Sequence, residues 1–422
     1  MHRARNIGAT ISFVIFLLSG CGGGGSSAPP ATAPPPSSSS GTSSAGPVLD
    51  LPAAAPATST VPSGYTKARF KDADVVGLNY VAGSTSGVSA PDGSFVYQKG
   101  GSVEFSVGAV PLGSLGPLQT ALGNSAFTVV DLVSNGSTSL PAVINRVRFL
   151  MMLDEDGNPD NGISISTAVQ AAAAGWSPVD FQTTDLPQEL ASIMSEVSNV
   201  DNRTATLPDA LTAQSHIEQT LRCVRGGAFV GTFDGDVSGR LFLAASVKNG
   251  GVAGEIYSDQ LNGAGDLIGG DAIAMDLNGA FTALSLSQGM VFVGTYYDND
   301  SVFGLWSNSV SGTSGTFQAS RVGGEDSAIY RYVAIYTGTD NGFLTYDIFA
   351  GGAMTVTKYS IKSDSYEVET DALGDGTLTT KMPSGFQVQA FIDPTEQVIQ
   401  GLWYVAYSTG TGVVTGHGCR LN

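Results

Sequence analysis

The sequence predicts a mainly β protein, α+β overall: a small N-terminal β module, a four-helix segment, then a duplicated antiparallel meander. Three observations carry this reading. Strand-length apolar runs separated by glycine-rich turns recur from Gly226 to Asn422. Within that stretch Phe229–Gly235 corresponds to Tyr332–Gly338, and Gly304-Leu305-Trp306 to Gly401-Leu402-Trp403, so a unit of roughly 100 residues occurs twice. Helical periodicity, in contrast, is confined to 109–222.

Residues 1–20 have the layout of a secretory signal: Arg3 and Arg5, then an apolar run from Ile7 to Leu18. That run is well short of the ~20 residues a membrane-crossing helix needs, so it reads as a cleavable signal. Leu18-Ser19-Gly20-Cys21 completes the pattern of a bacterial lipoprotein, with Cys21 as the lipidation site. Several acyl chains, each contributing ~0.8 kcal/mol per buried methylene, hold a protein on a membrane almost permanently. The expected location is the cell envelope, as an outer-membrane lipoprotein facing the periplasm or the surface. In a Gram-negative host, Gly22, rather than Asp, after the cysteine favours onward export from the inner membrane. Residues 21–64 are almost entirely Gly, Ser, Ala, Thr and Pro and predict a disordered linker, with a reach of roughly 35–40 Å.

Charge and cysteine usage narrow the partners. The chain has 37 Asp+Glu against 19 Lys+Arg, a net charge of −18, which argues against nucleic acid. A protein or neutral glycan ligand, calcium and the membrane reached through the lipid anchor remain. With Cys21 committed to lipid, Cys223 and Cys419 are left as one pair in an oxidising compartment, and a disulfide between them is expected.

Residues 65–108 alternate apolar and polar positions in short runs, with Asp92-Gly93 supplying a tight turn, and predict the small β-sandwich-like module. Residues 109–222 predict four helices: Pro141–Leu153 with Val143, Val147, Leu150 and Met151 on one face; 166–174 with Ser166 as N-cap; 186–198 behind Asp185 and Gln188; and Pro208–Arg222. Residues 223–422 form the Gly-rich β domain, with repeats at about 226–323 and 330–421. Each repeat predicts six to eight strands, closed as a barrel or packed as two sheets, which hides the sheet edges. Trp306 and Trp403 are expected as core or rim anchors of the two halves.

One constellation carries specific chemistry. Asp154, Asp156, Asn158 and Asp160 place oxygen side chains at every second residue of a turn-rich loop. That spacing can aim hard oxygens at one point, as Ca²⁺ requires. The loop resembles the aspartate-rich calcium loops of thrombospondin type 3 repeats, and its first three positions match an EF-hand. It departs from the EF-hand at Pro159, where glycine is needed, and at Ile165, where a bidentate glutamate is needed. Two readings therefore stand: a structural calcium site, or a polar turn between helices. Catalytic signatures are missing from the sequence: no Gly-x-Ser-x-Gly elbow, zinc helix or P-loop occurs. His216 and His417 read as surface or satisfied histidines, and the pairs Asp234/Asp236 and Asp298/Asp300 as hairpin turns.

The order of parts resembles a group of modular proteobacterial lipoproteins of undetermined function. The resemblance rests on Asn145-Arg146-Val147-Arg148-Phe149-Leu150 with the Asp154 loop and Asn161-Gly162-Ile163, and on Leu207-Pro208 leading to His216–Cys223. It spans most of 66–235 and implies an exported, lipid-anchored protein without bringing a reaction. The expected function is non-enzymatic binding, adhesion or envelope assembly. The alternative is an envelope polysaccharide or peptide hydrolase. A deep groove with two facing carboxylates would favour the enzyme; a shallow aromatic patch on the barrel would favour binding.

Overall fold

The computed structural model describes Leu49, Val61 and residues 63–421, leaving out 262–265, 286, 298, 299, 326, 375, 396 and 407 and the side chains of 266–273. The signal segment, Cys21 and most of the linker lie outside the described residues, as does Asp298.

The N-terminal module is a small sandwich. One sheet pairs Ser94–Tyr97, Thr66–Lys71 and Ala126–Thr128; the other pairs Thr85–Val88, Asn79–Ala82, Val103–Val107 and Val110–Leu115 in that order. Their facing sides meet through aromatic rings, with Phe70 and Phe95 each about 5 Å from Phe105 (4.9 and 5.0 Å between centroids). The Asp92-Gly93 turn, with Gly93 at φ +67°, joins strands that belong to different sheets rather than a hairpin. The hairpin Val103–Val107/Val110–Leu115 runs past residue 108, so the second sheet extends into the expected helical segment.

The helices share the module's core. Pro141–Leu153 buries Val143, Val147, Leu150 and Met151, the face the periodicity gives, and Phe149 besides. The next helix, Thr167–Ala173, is capped by Ser166, whose Oγ accepts from Val169 N at 3.1 Å. The stretch expected as one helix over 186–198 is two, Leu186–Glu189 and Ala191–Val200, broken at Leu190 (φ −92°, ψ 0°). The last helix, Ala210–Arg225, starts behind Asp209, whose Oδ1 accepts from Thr212 N at 2.9 Å. Residues between Ala68 and Leu221 form one continuous apolar cluster, so module and helices share a core.

Residues 227–420 form two nearly closed, eight-stranded antiparallel sheets. In the first, Gly227–Gly235, Gly239–Ala245, Gly251–Tyr257 and Asp266–Ala274 run outward in one direction. Thr313–Arg321, Ser301–Asn308, Met290–Tyr297 and Ala280–Leu284 run in the other, and the first and last strands of the repeat pair with each other. The second sheet repeats this order with Tyr330–Gly338, Gly342–Ile348, Ala353–Ser360 and Ser365–Ala372 against Thr411–Arg420, Val398–Val405, Phe386–Asp393 and Thr377–Lys381. Pairing the first strand with the last curls each sheet around its inward-facing side chains. Trp306 and Trp403, both 1% exposed, sit in the two interiors as anchors.

The barrels are tied to each other and to the chain before them. Phe242 and Ala244 of the first pack against Val333, Phe343 and Tyr359 of the second, with the disulfide Cys223–Cys419 in the same cluster. The disulfide therefore links the end of the last helix to the final strand of the second barrel. Leu49, inside the segment expected as linker, is buried in the core cluster of the second barrel.

Candidate functional sites

The Asp154 loop is closed at its base by a β-bridge between Asp154 and Ile165. Ile163–Ser164 then pairs in parallel with Val75–Val76, joining the loop to the module. Asp154 Oδ1 accepts from Ser164 N at 2.9 Å, and the carboxylate is 1% exposed. Burial pushes its pKa up to about 7, opposed by the Ser164 amide and reinforced by the neighbouring Asp156. Asp156 is exposed and accepts from Asn158 N and from Asn161 Nδ2, each at 2.8 Å. Asp160 points elsewhere, with Oδ1 3.7 Å from His216 Nδ1. The structure thus brings Asp154 and Asp156 together, keeps Asn158 beside them in the exposed turn, and draws Asp160 away. Ile165, 2% exposed, belongs to the core.

Of the two readings of His216, surface or satisfied, the structure shows the second. The histidine lies on the Ala210–Arg225 helix with its side chain 8% exposed and Nε2 3.3 Å from Asp72 Oδ1. Asp72 is fully buried, and burial pushes its pKa up to about 6 against the pull of His216. Burial alone would lower the imidazole pKa; Asp72 and Asp160 outweigh it and hold it above the ordinary value. Sequence reasoning missed this pairing because Asp72 and His216 are 144 residues apart. A polar cavity of about 420 Å³ opens beside them, lined by Asp160, His216, Gln219, Tyr330 and Arg420 among others.

His417 lies in a cleft of about 500 Å³ between the barrels, with Nδ1 3.3 Å from Ser246 Oγ. Burial, with Lys248 adding repulsion, lowers its pKa. Ser246 Oγ also accepts from the amides of Lys248 and Asn249 at 3.4 Å, so it caps the turn after its strand.

A groove of about 620 Å³ lies on the outer face of the first barrel. Strand alternation points Val293, Thr295 and Tyr297 outward beside Phe303 and Leu305 of the paired strand. Val293 is 52%, Tyr297 41%, Phe303 48% and Leu305 64% exposed, an apolar set that folding leaves uncovered. The rings of Tyr297 and Phe303 meet edge to face at 6.1 Å. Beneath them Gly294 and Gly304 face each other across the strands, and the Phe317 ring occupies the interior space their side chains would fill. Asp234, Thr316 and Gln318 add polar groups to the wall. Among the described lining residues Asp234 supplies the one carboxylate, whereas general acid–base glycoside hydrolysis uses two.

No family model matches the chain. No curated protein matches it either. Among solved structures, a protein of unknown function from the DUF3598 family of Nostoc punctiforme is similar at 11% identity, with a TM-score of 0.18, over 48% of this chain and 98% of that one. A likeness that low carries no argument about the site.

The second barrel repeats part of this exposed apolar set. Leu402, the counterpart of Leu305, is 61% exposed, and Phe391 and Val413 flank it at 46% and 48%. Leu402 lies directly opposite Val413 in the ladder. The aromatic pair of the first barrel has no equivalent there: Gln400 stands at the position corresponding to Phe303.

Proposed function

We propose that the protein is a lipid-anchored envelope binding protein that takes a neutral glycan chain in the outer groove of its first barrel. The observation that carries this reading is the exposed set Val293, Tyr297, Phe303 and Leu305 beside Asp234, Thr295, Thr316 and Gln318. Aromatic faces accept the C–H faces of sugar rings, and the flanking carboxylate, hydroxyls and amide match sugar hydroxyls. A chain of net charge −18 repels polyanions, which favours a neutral polymer over an acidic one. The expected signal peptide, acylated Cys21 and low charge support an exported setting in which such a polymer is met. The groove is shallow and aromatic, the arrangement that favours binding over hydrolysis.

The test is affinity electrophoresis of the full chain through gels containing neutral envelope polysaccharides. Wild-type protein is retarded by at least one of them, and Phe303→Ala, a substitution at an exposed position, restores free migration while the melting curve stays unchanged. Equal migration of both proteins in every polysaccharide would overturn the reading.

A further inference from the structure

We propose that the loop Asp154–Ile165 binds one calcium ion between the carboxylates of Asp154 and Asp156, with the Asn158 amide oxygen as a third donor. The inference rests on one atom. Asp154 Oδ2 is buried, in a residue only 1% exposed, and accepts no hydrogen bond of ordinary geometry. Its neighbour in the loop is a second carboxylate, Asp156. An unpaired carboxylate oxygen withdrawn from water beside another anion is costly unless a proton or a cation joins them, and a loop offering a third oxygen donor suits the cation.

The donor set selects the cation. All three side chains offer hard oxygens, with neither thiolate nor imidazole, which suits Ca²⁺ rather than Zn²⁺. Among the described residues no three His, Cys, Asp or Glu side chains converge on one point, so the remaining positions would fall to main-chain carbonyls and water. Calcium accepts such mixed and irregular shells, whereas Mg²⁺ demands near-ideal octahedral geometry. The set differs from the one the spacing predicts: Asp160 is turned to His216 and is not a ligand.

An ion here has a structural consequence. The loop joins the helix Pro141–Leu153 to the strand Ile163–Ser164, which pairs with Val75–Val76. Calcium would therefore fasten the N-terminal sandwich to the helical layer.

The experiment is a calorimetric titration of CaCl2 into the full-length protein, purified in detergent and stripped with chelator. The expected result is one ion per chain, with a dissociation constant at or below ~1 mM, the range of extracellular sites, and a calcium-dependent rise in Tm. Asp154→Asn loses the binding heat and the calcium-dependent rise, while its calcium-free Tm equals or exceeds that of the wild type because the orphaned charge is gone. Asn158→Ala, at an exposed turn position that does not threaten folding, weakens binding. Absence of heat at ~1 mM calcium, binding unaltered in Asp154→Asn, or equal binding of MgCl2 would overturn the proposal.

Discussion

The indole Nε1 of Trp403 donates to the carbonyl oxygen of Thr337 at 3.0 Å. Trp306 makes the same bond, at the same 3.0 Å, to the carbonyl of Asp234. Each tryptophan lies over a glycine on the neighbouring strand, Gly412 in one barrel and Gly315 in the other, and those glycines pair with Gly338 and Gly235. A donor buried in an apolar interior needs a partner, and the glycine pair clears the space that lets the ring reach the main chain. The two barrels are thus copies down to a hydrogen bond, which is stronger evidence of duplication than the Gly-Leu-Trp triplets alone.

Gly412→Ala should therefore destabilise the second barrel. A Cβ at Gly412 would overlap both Thr337 O and Trp403 Nε1, and backbone cannot move aside as a flexible side chain can. The expected loss is about 1–3 kcal/mol, the usual cost of overpacking, read as a lower urea midpoint. Gly315→Ala should act alike on the first barrel, where the Cβ meets Asp234 O and Trp306 Nε1.

Opening the disulfide should loosen the whole C-terminal body. Cys223 and Cys419 are separated by 196 residues. The chain-entropy model puts the stabilisation from closing so long a loop at about 5 kcal/mol, an upper figure for real bridges. A Cys223→Ala/Cys419→Ala protein should unfold at clearly lower denaturant than the wild type. An unchanged midpoint would mean that the buried interface around Phe242, Val333 and Tyr359 holds the barrels without covalent help.

Stability should fall as pH rises through the range set by Asp72. Its folded pKa, about 6, lies above the ordinary 3.8 because burial disfavours the charge. The stabilising contribution is therefore complete below the unfolded value and is lost as pH climbs through the folded one. Asp72→Asn should flatten stability between those two values. Asp92 acts in a separate window: burial would raise its pKa, but hydrogen bonds from Lys67 and Ser94 and the charges of Arg69 and Lys67 hold it at about 2. Its contribution is present above the ordinary carboxylate value and is lost as pH drops toward 2. Chemical denaturation of wild type and Asp72→Asn across this range separates the two.

Groove residues should be dispensable for folding. Leu305 and Leu402 are 64% and 61% exposed, so Leu305→Ser and Leu402→Ser should each change stability by no more than about 0.5 kcal/mol. A larger loss would mean that these side chains are covered in the folded protein and are not available to a ligand.

Much of the fold was readable because it is written in local or repeated signals. The two meanders show themselves through Gly-Leu-Trp occurring twice, the disulfide through cysteine arithmetic, and two of the helix starts through Ser166 and Asp185 capping chemistry. The break at Leu190 was not readable, since Leu-Pro-Gln-Glu and the following residues are all compatible with one helix. Nor was the shared core of sandwich and helices, which depends on contacts such as Ala109 N to Ala173 O, at 2.9 Å. The candidate sites divide the same way. Asp154 and Asp156 stand out by spacing, whereas the Asp72–His216 pair and the Tyr297–Phe303 groove exist only once distant strands and helices are assembled. Nothing in the linear pattern distinguishes an uncovered face from one packed against another sheet.

The decisive measurement is saturation-transfer NMR on the full chain with the polysaccharide fragment that most strongly retards it in gels. Transfer to sugar ring protons in the wild type, lost in Tyr297→Ala and in Phe303→Ala but kept in Phe391→Ala, is the result expected of a groove on the first barrel. Transfer that persists undiminished in both Tyr297→Ala and Phe303→Ala would contradict it.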